Sequence, residues 1–199
     1  MTKSIPSMQR IAELQQLIVE LSQVQRMVKL ADTGRFENDV EHSYGLALTC
    51  WYLAPKIAAK LDQGKILGYA LAHDIVEIHS SDTFAFDQEG VKGKSERENK
   101  ALKKLEKDWP DFPDLSKAAR AYKDKADAEA RFVYTIDKIL PSLMVNLGEK
   151  DIFWHRHKIT REMEAIEKKN KMKSSPDALP YLEMLLEWMN DPDYFYKPD

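Results

Sequence analysis

Three of the chain's five histidines stand close to carboxylates in sequence. The densest group is His73-Asp74-Ile75-Val76-Glu77. Placed on a helix, His73 and Glu77 lie one turn apart and share a face. Asp74 lies roughly 100° round the helix from His73, close enough to converge on the same point beside it. An imidazole next to a carboxylate is half of a site for a divalent transition metal. A glutamate beside the ion, free of it, is well placed to take a proton from metal-bound water. The other half must come from elsewhere. Glu41-His42-Ser43 offers a second histidine at the start of its own helix. Asp137, in Tyr134-Thr135-Ile136-Asp137-Lys138, is a carboxylate inside an apolar helical stretch. Burying it uncompensated costs much free energy, so a partner is expected, and a metal ion would supply one.

The composition narrows what such a cluster could serve. A length of 199 residues fits one domain with a substantial core. Thirty Lys and Arg oppose 33 Asp and Glu, for a formal net charge of -3. That balance argues against a nucleic-acid binder, which usually carries a strong basic excess. Cys50 is the only cysteine, which excludes an intrachain disulfide and a cysteine-based zinc site. No apolar run approaches a membrane span, and MTKSIPSMQR lacks the apolar stretch of a signal peptide. The expectation is a cytoplasmic protein with no nucleic-acid or membrane partner. Neither G-x-x-x-x-G-K-[ST] nor G-x-G-x-x-G occurs, so nucleotide binding by those loops is not expected.

Elements that could position the cluster are helical. Ile11, Leu14, Leu17, Leu21, Val24 and Val28 recur at three-and-four spacing and predict one helix from Met8, N-capped by Ser7. Asp32-Thr33-Gly34-Arg35 breaks it. A second helix is expected from near Glu41 through Leu46, Cys50 and Leu53, with Pro55 kinking it or opening another. Lys65–Ile78 reads as a third, and residues 80–92 as a loop. Helices follow over 95–108, Leu115–Tyr122 and Lys125–Leu147, the last stopped by Gly148. A charged helix Lys158–Lys171, a linker at Ser174-Ser175-Pro176, an amphipathic helix Ala178–Met189 and an irregular tail complete the chain. Strand signals are weak throughout. The expected fold is all-α: a single compact multi-helix bundle with a core of about 8–150 and a charged helical C-terminal extension of about 151–199.

Here a resemblance becomes specific. His42, the His73-Asp74 doublet and the distant Asp137 form the H…HD…D signature of the HD-domain metal-dependent phosphohydrolases. The chain most resembles their 5'-deoxynucleotidase-like branch over about residues 10–160. The matching segments are Arg26, Glu37-Asn38-Asp39-Val40-Glu41-His42-Ser43, His73-Asp74-Ile75-Val76-Glu77 with Asp82, Lys94-x-x-x-Glu98-x-x-Ala101, and Glu129-Ala130-Arg131-Phe132 leading to Asp137-Lys138. The resemblance implies that His42, His73, Asp74 and Asp137 bind one divalent ion, which could be Mn, Co, Fe, Ni, Zn or Mg. It implies that Glu77 orients or deprotonates the attacking water. Arg26 would hold the substrate phosphate, and Asp82 would contact the sugar region or help position the leaving oxygen. The implied substrate is a (deoxy)ribonucleoside 5'-monophosphate, opened by attack of a metal-bound water, and the implied assembly is a homodimer. Two departures touch substrate recognition: Met27 stands where the family has tryptophan, and Thr83-Phe84-Ala85-Phe86-Asp87 replaces a lysine-bearing loop. Trp154-x-x-His157 also resembles a pattern found after the core in some relatives, without an assigned role.

Plainer roles compete. His79, His155 and His157 read as structural histidines. Asp82 could be a turn residue. Phe132, Tyr134, Trp51 and Tyr52 read as core. The charge run 92–107 reads as a solvated helix face, although Lys92, Lys94 and Arg97 could attract an anion. Few basic residues stand near the expected ligands, which tilts the substrate toward a monophosphate. Another phosphoester, a nucleoside polyphosphate or cyclic nucleotide, is the alternative substrate. A non-catalytic helical interaction protein on the same scaffold is the alternative class. A ferritin-like di-iron bundle needs repeated Glu-x-x-His pairs, which are absent.

Overall fold

A computed structural model describes residues 5–31, 33–57, 60–87, 89–148, 151–173, 179–191 and 193–198. Helices dominate, with one small sheet. The all-α expectation is borne out. Helix α1 (Met8–Leu21) is N-capped by Ser7, which accepts the Arg10 N–H. It ends at Leu21 and does not run to Val28. Residues Gln25–Lys29 form strand β1 instead, with Val28 turned inward and Gln25 and Met27 outward. Val24 and Val28 stand four apart, a step that helix and strand periods share, so this short segment cannot be told apart by spacing. β1 pairs antiparallel with β2 (Phe36–Asn38). Gly34 turns the chain between them with φ +69, a conformation glycine takes without steric cost.

β2 runs directly into α2 (Asp39–Leu53). Asn38 accepts the N–H groups of Val40 and Glu41, and the Glu41 side chain accepts the Asn38 N–H. This capping box starts the helix two residues before Glu41. Pro55 ends it and a 3₁₀ turn, Ala54–Lys56, follows. Helix α3 (Gln63–Ala72), capped by Asp62, stops at the HD doublet, and a short α4 (Glu77–Ser80) follows a tight turn. The single helix expected over Lys65–Ile78 is therefore two.

Then come α5 (Lys94–Asp108), α6 (Pro113–Asp124) and α7 (Ala128–Leu147). Lys125 lies outside α7: with φ 50 it terminates α6, and Asp127 caps α7. Gly148 ends α7 where a Cβ would come within 3.2 Å of the Ala31 backbone. The expected helix from Lys158 is preceded by another, α8 (Asp151–Arg156); α9 (Arg161–Met172) follows, capped by Thr160. The last helix is α10 (Leu179–Trp188). The expected linker Ser174-Ser175-Pro176, with Ala178 and parts of the Asp32–Arg35 break and the tail, lies outside the described residues.

The main core joins Leu46, Cys50, Ile66, Val133 and Ile136 to Trp154, Ile159, Met172, Leu182, Leu185 and Met189. Residues beyond 150 thus share a core with α2, α3 and α7. A second cluster of Leu17, Leu21, Ile75, Val76, Leu102 and Leu105 joins α1, the α3–α4 turn and α5. Phe132 is buried as expected, but Trp51 and Tyr52 are 54% and 65% exposed. The inward face of α2 is fixed by Asp39, His42, Leu46 and Cys50, which leaves those two aromatics on the opposite side. Among the described residues no helix is long and apolar enough to cross a membrane.

Candidate metal centre and its cavity

The capping box sets the first turn of α2 so that Asp39 and His42 both face inward, 0% and 1% exposed. α3 supplies the next group by ending. From Ala72 onward the backbone tightens: Ile75 N–H bonds Ala72 O and Glu77 N–H bonds Asp74 O, three residues back. Side chains three apart align in such a turn, so Asp74 and Glu77 fall on one side. The shared face expected of a continuous helix for His73 and Glu77 is replaced by this arrangement. His73 Nδ1 donates to Ala70 O at 2.8 Å, which leaves Nε2 for the centre. That nitrogen lies 2.9 Å from Asp74 Oδ2 and 3.8 Å from Asp137 Oδ1, without a hydrogen bond to either.

Asp137 closes the group from α7. Its Oδ1 lies 2.9 Å from His42 Nε2, and its Oδ2 accepts from Tyr122 Oη and meets Lys138 Nζ. His42, His73 and Asp137 each offer a ligand atom within 4.8 Å of the others. Asp74 adjoins them through His73. Asp39, Asp74 and Glu77 form a second such triad beside the first. The four residues expected to bind metal are thus brought together.

Arg26 enters from β1. Its Nη1 stands 2.8 Å from Asp74 and 3.2 Å from Asp39, and its Nε 3.4 Å from Glu37. Glu77 lies 3.4 Å from Lys94 Nζ of α5. Asp82, in the loop after α4, lines the same cavity. Burial pushes Glu77 well above the carboxylate range, and Asp74 and Asp82 add to the rise against Lys94. Burial and Asp74 push Asp39 to about 7 despite Arg26. Burial would also raise Asp137, but Lys138, His42 and His73 outweigh it and hold the carboxyl well below its usual range. Burial opposes charge on His73, but Asp74 and Asp137 win and raise its pKa.

These atoms fit a divalent cation. Imidazole and carboxylate donors converge, and His73 Nε2, Asp39 Oδ2, Glu37 Oε2 and Glu77 Oε2 are buried without hydrogen-bond partners. Unpaired buried acceptors are costly, and a bound cation would satisfy them.

The cavity beside the centre holds about 590 Å³. Its walls correct the expectation that few basic residues stand near the ligands: Lys94, Lys123, Lys125, Lys138, Lys168 and Lys171 all line it. Five of these come from four different helices, α5, α6, α7 and α9, so spacing could not gather them. Lys92 and Arg97 do other work. Lys92 pairs with Glu89, and Arg97 ties the 83–92 loop through Thr83, Gly90 O and Lys92 O. Sequence reasoning gave no role to Asp39, Tyr122 or Lys138. Asp39 reads as an ordinary acidic helix start and Tyr122 as the end of a short helix. Lys138 carries a visible signal, since it follows a buried aspartate.

The HD domain family model matches residues 18–178, and the chain belongs to that family. No curated protein matches it. Among solved structures it is similar to a predicted metal-dependent phosphohydrolase from Magnetospirillum magnetotacticum MS-1, with 28% identity, TM-score 0.78, 94% of this chain and 96% of that one. A protein from Pyrococcus horikoshii OT3 is 26% identical with TM-score 0.61, over 89% of this chain and 97% of that one. A conserved hypothetical protein from Pyrococcus furiosus, 21% identical with TM-score 0.57 over 89% and 98%, shares the fold.

Proposed function

We propose that this protein is a metal-dependent phosphohydrolase that releases phosphate from (deoxy)ribonucleoside 5'-monophosphates. The observation that carries the hydrolase reading is the convergence of His42, His73 and Asp137 within 4.8 Å, flanked by Asp74 and Glu77 at the mouth of a cavity. The Magnetospirillum structure, described as a predicted metal-dependent phosphohydrolase, supports it. His42, His73, Asp74 and Asp137 would hold the divalent ion, whose identity is open among Mn, Co, Fe, Ni, Zn and Mg. When bound, the ion supplies Lewis acidity toward a phosphoryl oxygen and acidifies water.

The remaining work falls to the chain's own groups. Glu77, buried beside Asp74 in the cavity wall, would accept the proton of the attacking water. Arg26, which lines the cavity, would offer a planar fork to the phosphoryl oxygens. Asp82, which lines the cavity, would contact the sugar region or help position the leaving oxygen. Tyr122 and Lys138 hold Asp137 in register. The bank of lysines favours a second reading, a substrate with more than one phosphate. The homodimer belongs to this reading too. Tyr44, Leu48, Trp51 and Tyr52, each more than half exposed on one side of α2, offer a face for it.

The test is phosphate release by stripped protein refilled with manganese or cobalt, from a panel of ribo- and deoxyribonucleoside mono- and diphosphates. Metal-dependent release that Asp74→Ala abolishes is expected. Full hydrolysis by Asp74→Ala would refute the site, and release from none of the panel would refute the nucleotide substrate.

A further inference from the structure

The cavity wall is not ionic throughout. Beside the charged groups it carries Phe84, Ala85 and Phe86 from the loop after α4, with Phe153 from α8. The reaction above gives these residues no task.

This part of the loop is held as a platform. The Asp87 N–H donates to Phe84 O and closes a turn. Asp87 Oδ1 accepts the N–H groups of Glu89 and Gly90, while Arg97 of α5 donates to Thr83 Oγ1 and Gly90 O. A Cβ at Gly90 would come 2.5 Å from Asp87 Oδ2 and 3.2 Å from Thr83 Cγ2, so the returning leg of the loop passes close against the outgoing one. Phe84 is seated from behind. Its ring meets Phe153 edge-on at 6.1 Å and His157 at 4.9 Å, and Phe86 tilts against it at 5.6 Å. Phe153 is 3% exposed, whereas Phe84 and Phe86 pack on the main core and stay only partly buried. Two rings fixed in place and left open to a hollow are a preformed ligand wall, and their prior order lowers the cost of binding.

The chemistry of this wall restricts what it can read. The side chains of Phe84, Ala85 and Phe86 neither donate nor accept hydrogen bonds. They can meet the face of a flat ring and cannot sense the pattern on its edge. The wall is also within reach of the reaction. Phe84 follows Asp82 by two residues, about 7 Å of fully extended chain. Asp82 in turn stands close enough to Arg26 and Glu77 to act on their charges. A gap of that order is what a pentose bridges between its phosphate and its base.

We propose that Phe84 and Phe86 form a stacking wall for the base of the substrate, and that this wall accepts every base alike. The proposal rests on the nucleotide reading for the class of ligand and adds what selects it: a flat ring is required, and no particular ring is preferred. Stacking on an aromatic side chain tolerates sequence because every base has a π-face.

Full-length protein loaded with manganese is titrated calorimetrically with methylenephosphonate analogues of the ribo- and deoxyribonucleoside 5'-monophosphates, whose P–C bond is not hydrolysed. The analogues of ribose 5-phosphate and deoxyribose 5-phosphate supply the same group without a base. Within one sugar, the four nucleotide analogues should agree within about threefold and bind about tenfold or more tighter than the base-less one. Phe86→Leu keeps apolar bulk and loses the flat ring, so most of that advantage should go, while Phe86→Tyr should retain it. The base-less analogue should bind all three proteins equally. No advantage for the base, an advantage untouched in both Phe84→Leu and Phe86→Leu, or a preference above about tenfold for one base would overturn the wall. Phosphate release from the natural esters is measured separately. Release without a base advantage leaves the hydrolase standing and removes the wall; a base advantage without release does the reverse.

Discussion

Arg26 shows how a residue marked for substrate binding also holds the fold. Its side chain is 11% exposed and lies within 3.4 Å of three carboxylates, those of Asp74, Asp39 and Glu37. Arg26→Met keeps the stem and removes the charge, so the carboxylates lose their shared cation. Removing one partner of a buried ion pair costs about 3–5 kcal/mol, because the other partner stays buried and unpaired. In a domain of this size each kcal/mol moves Tm by about 2–4 °C. Melting followed by circular dichroism in chelator at neutral pH should therefore fall by about 6–20 °C. Excess manganese should shrink the loss, since a cation at the centre would neutralise Asp74. Asp39→Val in the Arg26→Met background removes one stranded carboxylate and should restore about 1 kcal/mol or more, the non-additivity expected of groups in contact. A fall of less than about 3 °C in chelator, with no recovery in the double variant, would refute a structural role for Arg26.

Tyr122→Phe removes the donor to Asp137 Oδ2. It should weaken metal affinity about 10–100-fold, the usual effect of losing a partner that orients a ligand, as read by metal titration. Asp127 caps α7 through Ala130 N–H and also accepts from Tyr69 and Lys65. Asp127→Ala should cost about 1 kcal/mol in urea unfolding at pH 7. Burial would raise Asp127, but Ala130 N–H, Tyr69 and Lys65 outweigh it and lower its pKa from 3.8. The contribution is therefore full above that value and disappears as pH falls through the folded pKa, so the variant and its parent should converge in acid. Trp51→Lys on the exposed face of α2 should convert the proposed homodimer to monomer in sedimentation, with little change in stability measured on the monomer.

How legible the site was depended on how locally each residue is placed. His42 and Asp137 could be read because each breaks a local rule, a histidine at a helix start and a carboxylate in an apolar stretch. The doublet His73-Asp74 was visible, but its geometry was not. The change from four-residue to three-residue hydrogen bonding after Ala72 has no glycine or proline to announce it. β1 was hidden for a related reason: the spacing from Val24 to Val28 suits either period. The lysine bank was illegible because α5, α6, α7 and α9 meet only in the packed fold. Trp51 and Tyr52 misled because large aromatics default to the core, while a helix with Asp39 and His42 already facing inward has less of its inner face left to bury them.

Charge connects these pieces. Glu37, Asp39, Asp74, Glu77, Asp82 and Asp137 gather where Arg26, Lys94 and Lys138 make the direct ion pairs. Six carboxyl groups against three cations leave a formal excess of negative charge, part of which burial removes by raising Glu77 and Asp39. A phosphate ester brings negative charge of its own, and two like unit charges 4 Å apart repel by about 4 kcal/mol near a protein surface. Arg26 cannot relieve this alone, since its guanidinium is already shared among three carboxylates. A divalent cation that engages Asp74 changes both conditions: it offsets the excess and releases the shortest contact of Arg26, at 2.8 Å. Cation and phosphate binding are then coupled through one arginine, with the cation first. Inorganic phosphate should bind tighter by about tenfold or more with manganese present, and much of that gain should vanish in Arg26→Met. Equal phosphate affinity with and without manganese would break the coupling, because it would mean that the lysines suffice and that Arg26 never changes partners.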